Sequence, residues 1–466
     1  MSTSRRPLDP LVAVMGSTGT GKSDLAVDLA LRFNGEIINA DAMQMYRGLP
    51  VITNQISVEE QKGVPHHLLA IVDHHEPTWT VLDFATEARK VIQGIRSRGR
   101  LPVIVGGTHY YINALLFEDG VLGPQSLGGD NPRINMKEES SAQFPILNAP
   151  TDVLMNRLRE VDPAMASRWH PSERRKIQRS LEIYFTTGKR ASDIYAEQQR
   201  DRLASRGARG PWEALMFWVY SEPGVLHDRL SRRVDKMVGK GLMAEVKELH
   251  GQLERRTESG ETVDRTKGIW QSIGFKQLEP FLKAEIEGRA AEELERLKEA
   301  GLEEMRTATR QYARSQIKWL RGKTVPKLKE HEALDYLYLL DSSNAGNFAT
   351  DVLQPAADIC RQFLDGKDMS KPNELSGTAR DVLSALADKS CRPALRHRTC
   401  EACQLTVLES EWEKHVKGRR HRLIMKHKSR TALVPFEGEA TAESGSGHTV
   451  VESESKPSSV DLGHFP

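Results

Sequence analysis

From Leu11 to Leu116, short apolar runs alternate with amphipathic stretches. Leu11 to Met15, Glu36 to Asn39 and Leu101 to Val105 have the length and continuous apolarity of buried strands. Asp24 to Phe33 and Phe84 to Arg98 repeat apolar residues at helical spacing. Strand alternating with helix predicts a parallel sheet covered by helices on both faces. Between Gly120 and Pro150 the chain turns rich in Gly, Pro, Ser and Asn (GVLGPQSLGGDNPRINMKEESS), the composition of a long surface loop. Helical patterning follows from Thr151 to Gln199, resumes from Leu226 to Leu253, and returns from Ala290 to Leu320, where acidic residues precede basic ones as the helix dipole favours. Gly366 to Thr378 reads as a linker, and the stretch after Arg430, with six acidic residues and one lysine, as a disordered tail.

A chain of 466 residues, 38% of them hydrophobic, can bury two or three cores. Its net charge of only +2 means that attraction to a polyanion must come from local patches. One such patch is the region 151–199, with Arg157, Arg159, Arg168, Arg174, Arg175, Lys176, Arg179, Lys189 and Arg190. No run of about 18 apolar residues occurs, which excludes a membrane-spanning helix. Met1 to Pro10 carries Arg5 and Arg6 without the apolar stretch of a signal peptide. Four cysteines, Cys360, Cys391, Cys400 and Cys403, are too few and too clustered for a disulfide framework and suit a reducing compartment.

Gly16-Ser17-Thr18-Gly19-Thr20-Gly21-Lys22-Ser23 has the phosphate-loop spacing and lies between a predicted strand and a predicted helix. Glycines turn backbone amides toward phosphate oxygens, the helix start adds its positive end, Lys22 supplies a charge, and Ser23 can hold magnesium. The pattern specifies a ligand bearing a pyrophosphate, not ATP in particular. A usual NTPase carries a carboxylate after a second strand, whereas Leu101 to Val105 runs into Gly106-Gly107-Thr108-His109-Tyr110-Tyr111. Asp41, at the exit of Glu36 to Asn39, sits where open α/β sheets place ligand-contacting residues. A turn or cap is the plainer role for an aspartate there.

The phosphate loop, Asn39-Ala40-Asp41-Ala42-Met43-Gln44-Met45-Tyr46 and the Gly106 to Tyr111 segment together resemble the tRNA dimethylallyltransferase (tRNA isopentenyltransferase) family. Val64 to Leu68, Asp162-Pro163, His170-Pro171, Arg233 to Met237, Gly241-Leu242, Gly268 to Gly274, Arg310 to Ala313 and Lys318 to Leu320 resemble segments of its eukaryotic branch, in order, over roughly residues 10 to 325. His109 stands where asparagine is expected for this motif. The resemblance implies transfer of a dimethylallyl group from dimethylallyl pyrophosphate to the exocyclic amine of the adenosine 3′-adjacent to the anticodon. It also implies Asp41 as acceptor of the amine proton, and Thr18 and Arg233 as catalytic groups. Gly16 to Ser23 would hold the pyrophosphate with magnesium on Ser23. Asp41, Ala42, Met43, Gln44, Thr108, Arg175, Lys176, Ile177, Gln178 and Arg179 would lie against tRNA. Without the resemblance, Arg233 reads as a surface arginine in a charged helix.

Cys400, Cys403, His415 and His421 have the spacing of a two-cysteine, two-histidine zinc site, with Leu405, Leu408 and Trp412 available as a small core. His427 and Cys391 are alternative ligands. Eleven Lys or Arg against four acidic residues between Arg392 and Arg430 suit contact with RNA backbone, and Lys417 to Lys428 reads equally as a nuclear-localisation run. The module resembles the finger of eukaryotic members of the family.

The expected fold class is therefore α/β, a P-loop NTPase-like parallel sheet with a helical insertion and a C-terminal zinc finger. Residues 10–150 and 205–340 would form the transferase core, 151–204 the tRNA-binding insertion, 341–390 a helical segment and linker, 391–430 the finger and 431–466 the tail. Expected partners are the tRNA anticodon stem-loop and dimethylallyl pyrophosphate, with zinc and magnesium as metals. A cytoplasmic monomer is expected, with nuclear and mitochondrial addresses open. Two other functions compete: a phosphate-loop kinase, and an RNA-binding protein whose NTPase-like core has become structural.

Overall fold

The computed structural model describes residues 5–117, 144–204, 212–387, 397–403, 405–419 and 421–425. Residues 120–143 of the Gly120 to Pro150 stretch, Cys391, His427 and the acidic tail lie outside them. Contacts divide the chain into two units, residues 1–130 with 206–391 and residues 131–205 with 392–466.

The first unit is built on six parallel strands: β1 (Pro10–Gly16), β2 (Gly35–Asn39), β3 (His66–His67), β4 (Leu101–Val105), β5 (Glu213–Tyr220) and β6 (Leu337–Asp341). Their order is β3-β2-β4-β1-β5-β6. Alternate side chains enter opposite cores, as the pleat requires. Leu11, Ala13 and Met15 join Ile38, Ile104 and Trp218 on one face. Val12 and Val14 join Ile37, Val103 and Phe217 on the other. Burial on both faces explains why these strands read as apolar runs and not as an alternation. Each fully buried aliphatic side chain contributes roughly 1.5–3 kcal/mol.

The expected α/β parallel-sheet core is present, with helices Lys22–Arg32 and Val81–Ser97 where the periodicity predicts them. A capping box starts the second: Thr80 accepts from the Asp83 amide while Asp83 accepts from the Thr80 amide. β3, β5 and β6 go beyond the strands read from the pattern. The stretch Leu226 to Leu253 is two helices, Pro223–Gly239 and Leu242–Glu258. They part at Gly241, whose φ of +100° lies in a left-handed region that a glycine enters at little cost. The helix expected over Ala290 to Leu320 is Ala291–Trp319. Within the stretch read as a linker, Pro372 is buried and Ser370 accepts from the Tyr338 hydroxyl at 2.6 Å, so that segment lies on the sheet.

Within β2, the buried Glu36 accepts from Arg98 at 3.0 and 2.7 Å and from Arg100 at 3.1 Å, and sits 2.6 Å from His67 Nε2. Hydrogen bonding from Arg98 above all holds its carboxyl down at about 2.

The second unit contains helices Thr151–Val161, Pro163–Arg168, Arg174–Thr187 and Ala191–Ala204. Asp162 ties three of them together: its carboxylate accepts from the Met165 amide at 3.1 Å and from the Ser192 amide at 2.9 Å. Two short antiparallel strands, β7 (His397–Cys400) and β8 (Leu405–Leu408), and the helical turn Trp412–Val416 belong to the same unit. His397 Nδ1 lies 3.0 Å from the Arg168 carbonyl, and its ring packs edge-on against His170. No helix among the described residues is long and apolar enough to cross a membrane.

Candidate active site

Parallel strands present their carboxyl ends at one sheet edge, and the turns after β1, β2 and β4 meet there. The turn after β1 is the phosphate loop. Gly19 and Gly21 have φ of +83° and +88°, where a side chain would strain the backbone. A Cβ on Gly16 would stand 2.4 Å from the Val219 carbonyl oxygen. The Thr20 hydroxyl and Lys22 Nζ both donate to the Ser17 carbonyl, at 2.9 and 2.6 Å, closing the loop on itself.

β4 lies between β1 and β2, and its exit is pressed against both. The Gly106 amide donates to the Val14 carbonyl and the Thr108 amide to the Ala40 carbonyl, at 3.3 and 3.2 Å. A Cβ on Gly106 would fall 2.2 Å from the Ala40 oxygen, so only glycine permits this approach. After β2, Asn39 shapes the turn: its side chain accepts from the Asp41 amide and donates to the Asp41 and Leu68 carbonyls. One Asp41 oxygen accepts from the Met43 amide at 3.1 Å. The Thr108 hydroxyl accepts from the Ala42 amide at 3.0 Å, so Asp41 and Thr108 are held as one structure.

Electrostatics join these turns. Lys22 is pushed down to about 8 by burial, with Asp41 holding it up and Arg233 pressing it further down. Burial raises the Asp41 carboxyl, opposed by the amides of Met43 and Gln44 and by the charges of Lys22 and Arg233. Arg233 is lowered by burial and raised by Asp41. Two cations therefore share one carboxylate in a poorly solvated pocket, an excess of positive charge that a pyrophosphate would neutralise. Arg233 is thus half-buried close to Asp41 and Lys22, and not a free surface charge.

Ser23, the second residue of the first helix, borders a small cavity with Asn39, Gln44 and His66. Its hydroxyl is a hard oxygen donor of the kind magnesium accepts. His109 is 3% exposed, neither ring nitrogen has a partner, and burial with the nearby Lys22 pushes it down to about 3, so it is neutral. Ala42, Met43 and Gln44 are half-buried, and the Gln44 side chain donates to the Asn54 carbonyl at 2.8 Å.

Two residues of the long helix Ala291–Trp319 were not assigned a role by sequence reasoning. Tyr312 shares hydrogen bonds with Thr108 and Gln316, and burial and the Asp41 charge raise its phenol. Gln316, 4% exposed, accepts from the Thr18 amide at 2.8 Å and donates to the Gly107 carbonyl at 3.0 Å. Tyr312 lies within a segment that carries the family resemblance. Gln316 gave no signal beyond its place on the buried face of a helix.

In the second unit, Arg175 and Lys176 are exposed, Gln178 and Arg179 half-buried, and Ile177 fully buried, anchoring the helix that presents the others. Lys176 pairs with Glu173 and lies 5.0 Å from the Trp169 ring centre, and Arg179 donates to Glu182 at 2.7 Å. The donor atoms of Cys400, Cys403, His415 and His421 all lie within 4.8 Å of one another. Both sulfurs approach His421 Nδ1, at 3.4 and 3.3 Å, while His415 Nε2 is buried without a hydrogen-bond partner. Four converging donors, one of them orphaned, form a cluster that could hold a metal ion, and two thiols with two imidazoles are a donor set that suits zinc.

The IPP transferase family model matches residues 44–323. The tRNA dimethylallyltransferase of Schizosaccharomyces pombe is 36% identical, over 91% of this chain and 97% of that protein. The Homo sapiens tRNA dimethylallyltransferase is 33% identical over 90% of this chain and 87% of its own length. A crystal structure described as a eukaryotic dimethylallyltransferase acting on tRNA superposes with a TM-score of 0.73 at 33% identity, covering 91% of this chain and 98% of that one. With a phosphate loop facing a half-buried carboxylate and likeness along nearly its whole length, the chain belongs to the tRNA dimethylallyltransferase family.

Proposed function

We infer that this chain transfers a dimethylallyl group from dimethylallyl pyrophosphate to the exocyclic amine of the adenosine 3′-adjacent to the anticodon of tRNA, releasing pyrophosphate. The observation that carries the reading is the meeting of the phosphate loop with Asp41 at one sheet edge, where β4 ends in a glycine turn and not in the carboxylate of an NTPase.

Gly16 to Ser23 hold the pyrophosphate through backbone amides and the Lys22 charge. An adenine extruded from the anticodon loop presents its amine to Asp41. The amine is a weak nucleophile; Asp41 orients it and accepts its proton as nitrogen bonds to the allylic carbon and the carbon–oxygen bond to pyrophosphate breaks. The electron pair leaves on the bridging oxygen, whose charge meets the Thr18 hydroxyl, Lys22 and Arg233. Magnesium, held by Ser23, would add positive charge on the pyrophosphate. Ala42, Met43, Gln44 and Thr108 border the base, and Arg175, Lys176, Gln178 and Arg179 face the RNA backbone from the second unit. Zinc held by Cys400, Cys403, His415 and His421 would fold the finger, which adds basic contacts to RNA.

Incubation with unmodified tRNA and radiolabelled dimethylallyl pyrophosphate tests the reading. Label in tRNA is the expected result. ATP turnover without label would favour a kinase, and tight tRNA binding without transfer would leave an RNA-binding protein.

A further inference from the structure

We propose that Gln316 is a positioning residue, a strut that holds the leaving group in line with the nucleophile. The proposal rests on the transfer reaction inferred above and adds to it a residue that touches neither substrate.

This one side chain ties the phosphate loop to the turn after β4, which packs against the Asp41 turn. Its Oε1 accepts from the Thr18 amide at 2.8 Å and its Nε2 donates to the Gly107 carbonyl at 3.0 Å. Only one orientation of the amide serves both, because a backbone N–H can only donate and a carbonyl can only accept. Gln316 is nearly inaccessible to water, so each bond is made where an unsatisfied partner would be costly. One turn earlier on the same helix, Tyr312 reaches Thr108 and Gln316, and Thr108 holds the Ala42 amide beside Asp41. A chain of hydrogen bonds thus runs from the phosphate loop to the backbone beside Asp41. With its amide taken by Gln316, Thr18 is left with its hydroxyl to offer the departing oxygen. The contact is tight: a Cβ on Gly107 would fall 2.2 Å from Gln316 Nε2.

Displacement at carbon demands attacking and leaving atoms in line, and a misplacement of about 1 Å costs about a hundredfold in rate. Loosening the strut should therefore lower kcat and leave ground-state binding intact. Gln316→Met keeps length and packing and removes both hydrogen bonds. Gln316→Glu keeps the acceptor for Thr18 and loses the donor for Gly107. Leu302→Ala, a buried residue of the same helix, loses packing alone.

The test is steady-state transfer of radiolabelled dimethylallyl groups to tRNA, with thermal melting of each variant. Expected for Gln316→Met is a kcat loss of about tenfold to a hundredfold with KM for the prenyl donor within about threefold of wild type. Leu302→Ala should melt earlier with kcat unchanged. If Gln316→Met does not fold, Gln316→Glu carries the same expectation. A kcat within threefold of wild type, a loss confined to KM, or an equal kcat loss in Leu302→Ala would each overturn the proposal. The wild-type enzyme in the same assay separates the two readings: no transfer by wild type removes the inferred reaction, whereas normal transfer by wild type and Gln316→Met alike removes only the strut.

Discussion

Asp41→Asn keeps the side chain's shape and removes its charge, and the structure gives it two distinct consequences. The first is chemical. The Met43 amide, 3.1 Å from one Asp41 oxygen, would hold the asparagine with its carbonyl turned that way and its NH2 turned toward the substrate amine. Two donors would then face each other, so the loss in kcat should approach the upper end of the hundredfold to ten-thousandfold range, about ten-thousandfold. The second is electrostatic. Asp41 raises Lys22, which burial has already pushed down to about 8. Wild-type kcat/KM for dimethylallyl pyrophosphate should fall as pH rises through about 8, the point at which Lys22 in the free enzyme loses its proton. In Asp41→Asn the same fall should begin at lower pH, because nothing then offsets burial and the repulsion from Arg233. Initial rates with radiolabelled donor from about pH 6 to pH 9.5, with tRNA retention on filters as a binding control, measure both. Retention of more than a tenth of the activity would remove Asp41 as proton acceptor, and an unshifted alkaline limb would refute its coupling to Lys22.

Arg233→Gln should give the opposite displacement: about a hundredfold to a thousandfold slower turnover, with the limb moved to higher pH because Arg233 lowers Lys22; a limb moved downward in the same pH–rate series would contradict the assignment. Glu36→Gln should cost about 2 kcal/mol at neutral pH through lost charged hydrogen bonds. Since folding lowers the Glu36 carboxyl from 4.5 to about 2, that contribution is complete above 4.5 and vanishes as pH falls through 2; urea melts showing a pH-independent difference would refute it. Cys403→Ser should unfold the finger and weaken tRNA binding in a salt-sensitive way, while the melting of the parallel-sheet unit stays in place; unchanged affinity at physiological salt would remove the module from RNA recognition.

What could be read from the chain beforehand was whatever is local. The phosphate loop, its strand and its helix occupy one short stretch, so spacing and flanks speak together. The two-cysteine, two-histidine spacing has the same virtue, since its ligands span 22 residues and do converge. Asp41 was a lone aspartate after a strand until β4 placed Gly106 and Thr108 against its turn. Arg233 looked like one more charge on a charged helix, because its neighbours Lys22 and Asp41 are brought close only by folding. Gln316 is the extreme case, with partners 298 and 209 positions away. Helical periodicity says that such a residue is buried, never what its amide meets.

The strand order itself accounts for the chemistry these distant residues share. Because β4 separates β1 from β2, the strands that lead into the phosphate loop and into Asp41 are two strand spacings apart, about 10 Å. Attack needs roughly 3 Å between nitrogen and allylic carbon, which leaves most of the remainder for that carbon and the pyrophosphate behind it. Adjacent strands, at about 5 Å, would leave no room for the donor. The intervening strand also explains where a spacer can act: the turn after β4 touches both sides, and it is to that turn, at Gly107 and Thr108, that the long helix fastens Gln316 and Tyr312. Separation is set by the sheet and alignment by the helix, so variants at Gln316 and Tyr312 should alter turnover without altering what the edge of the sheet can bind.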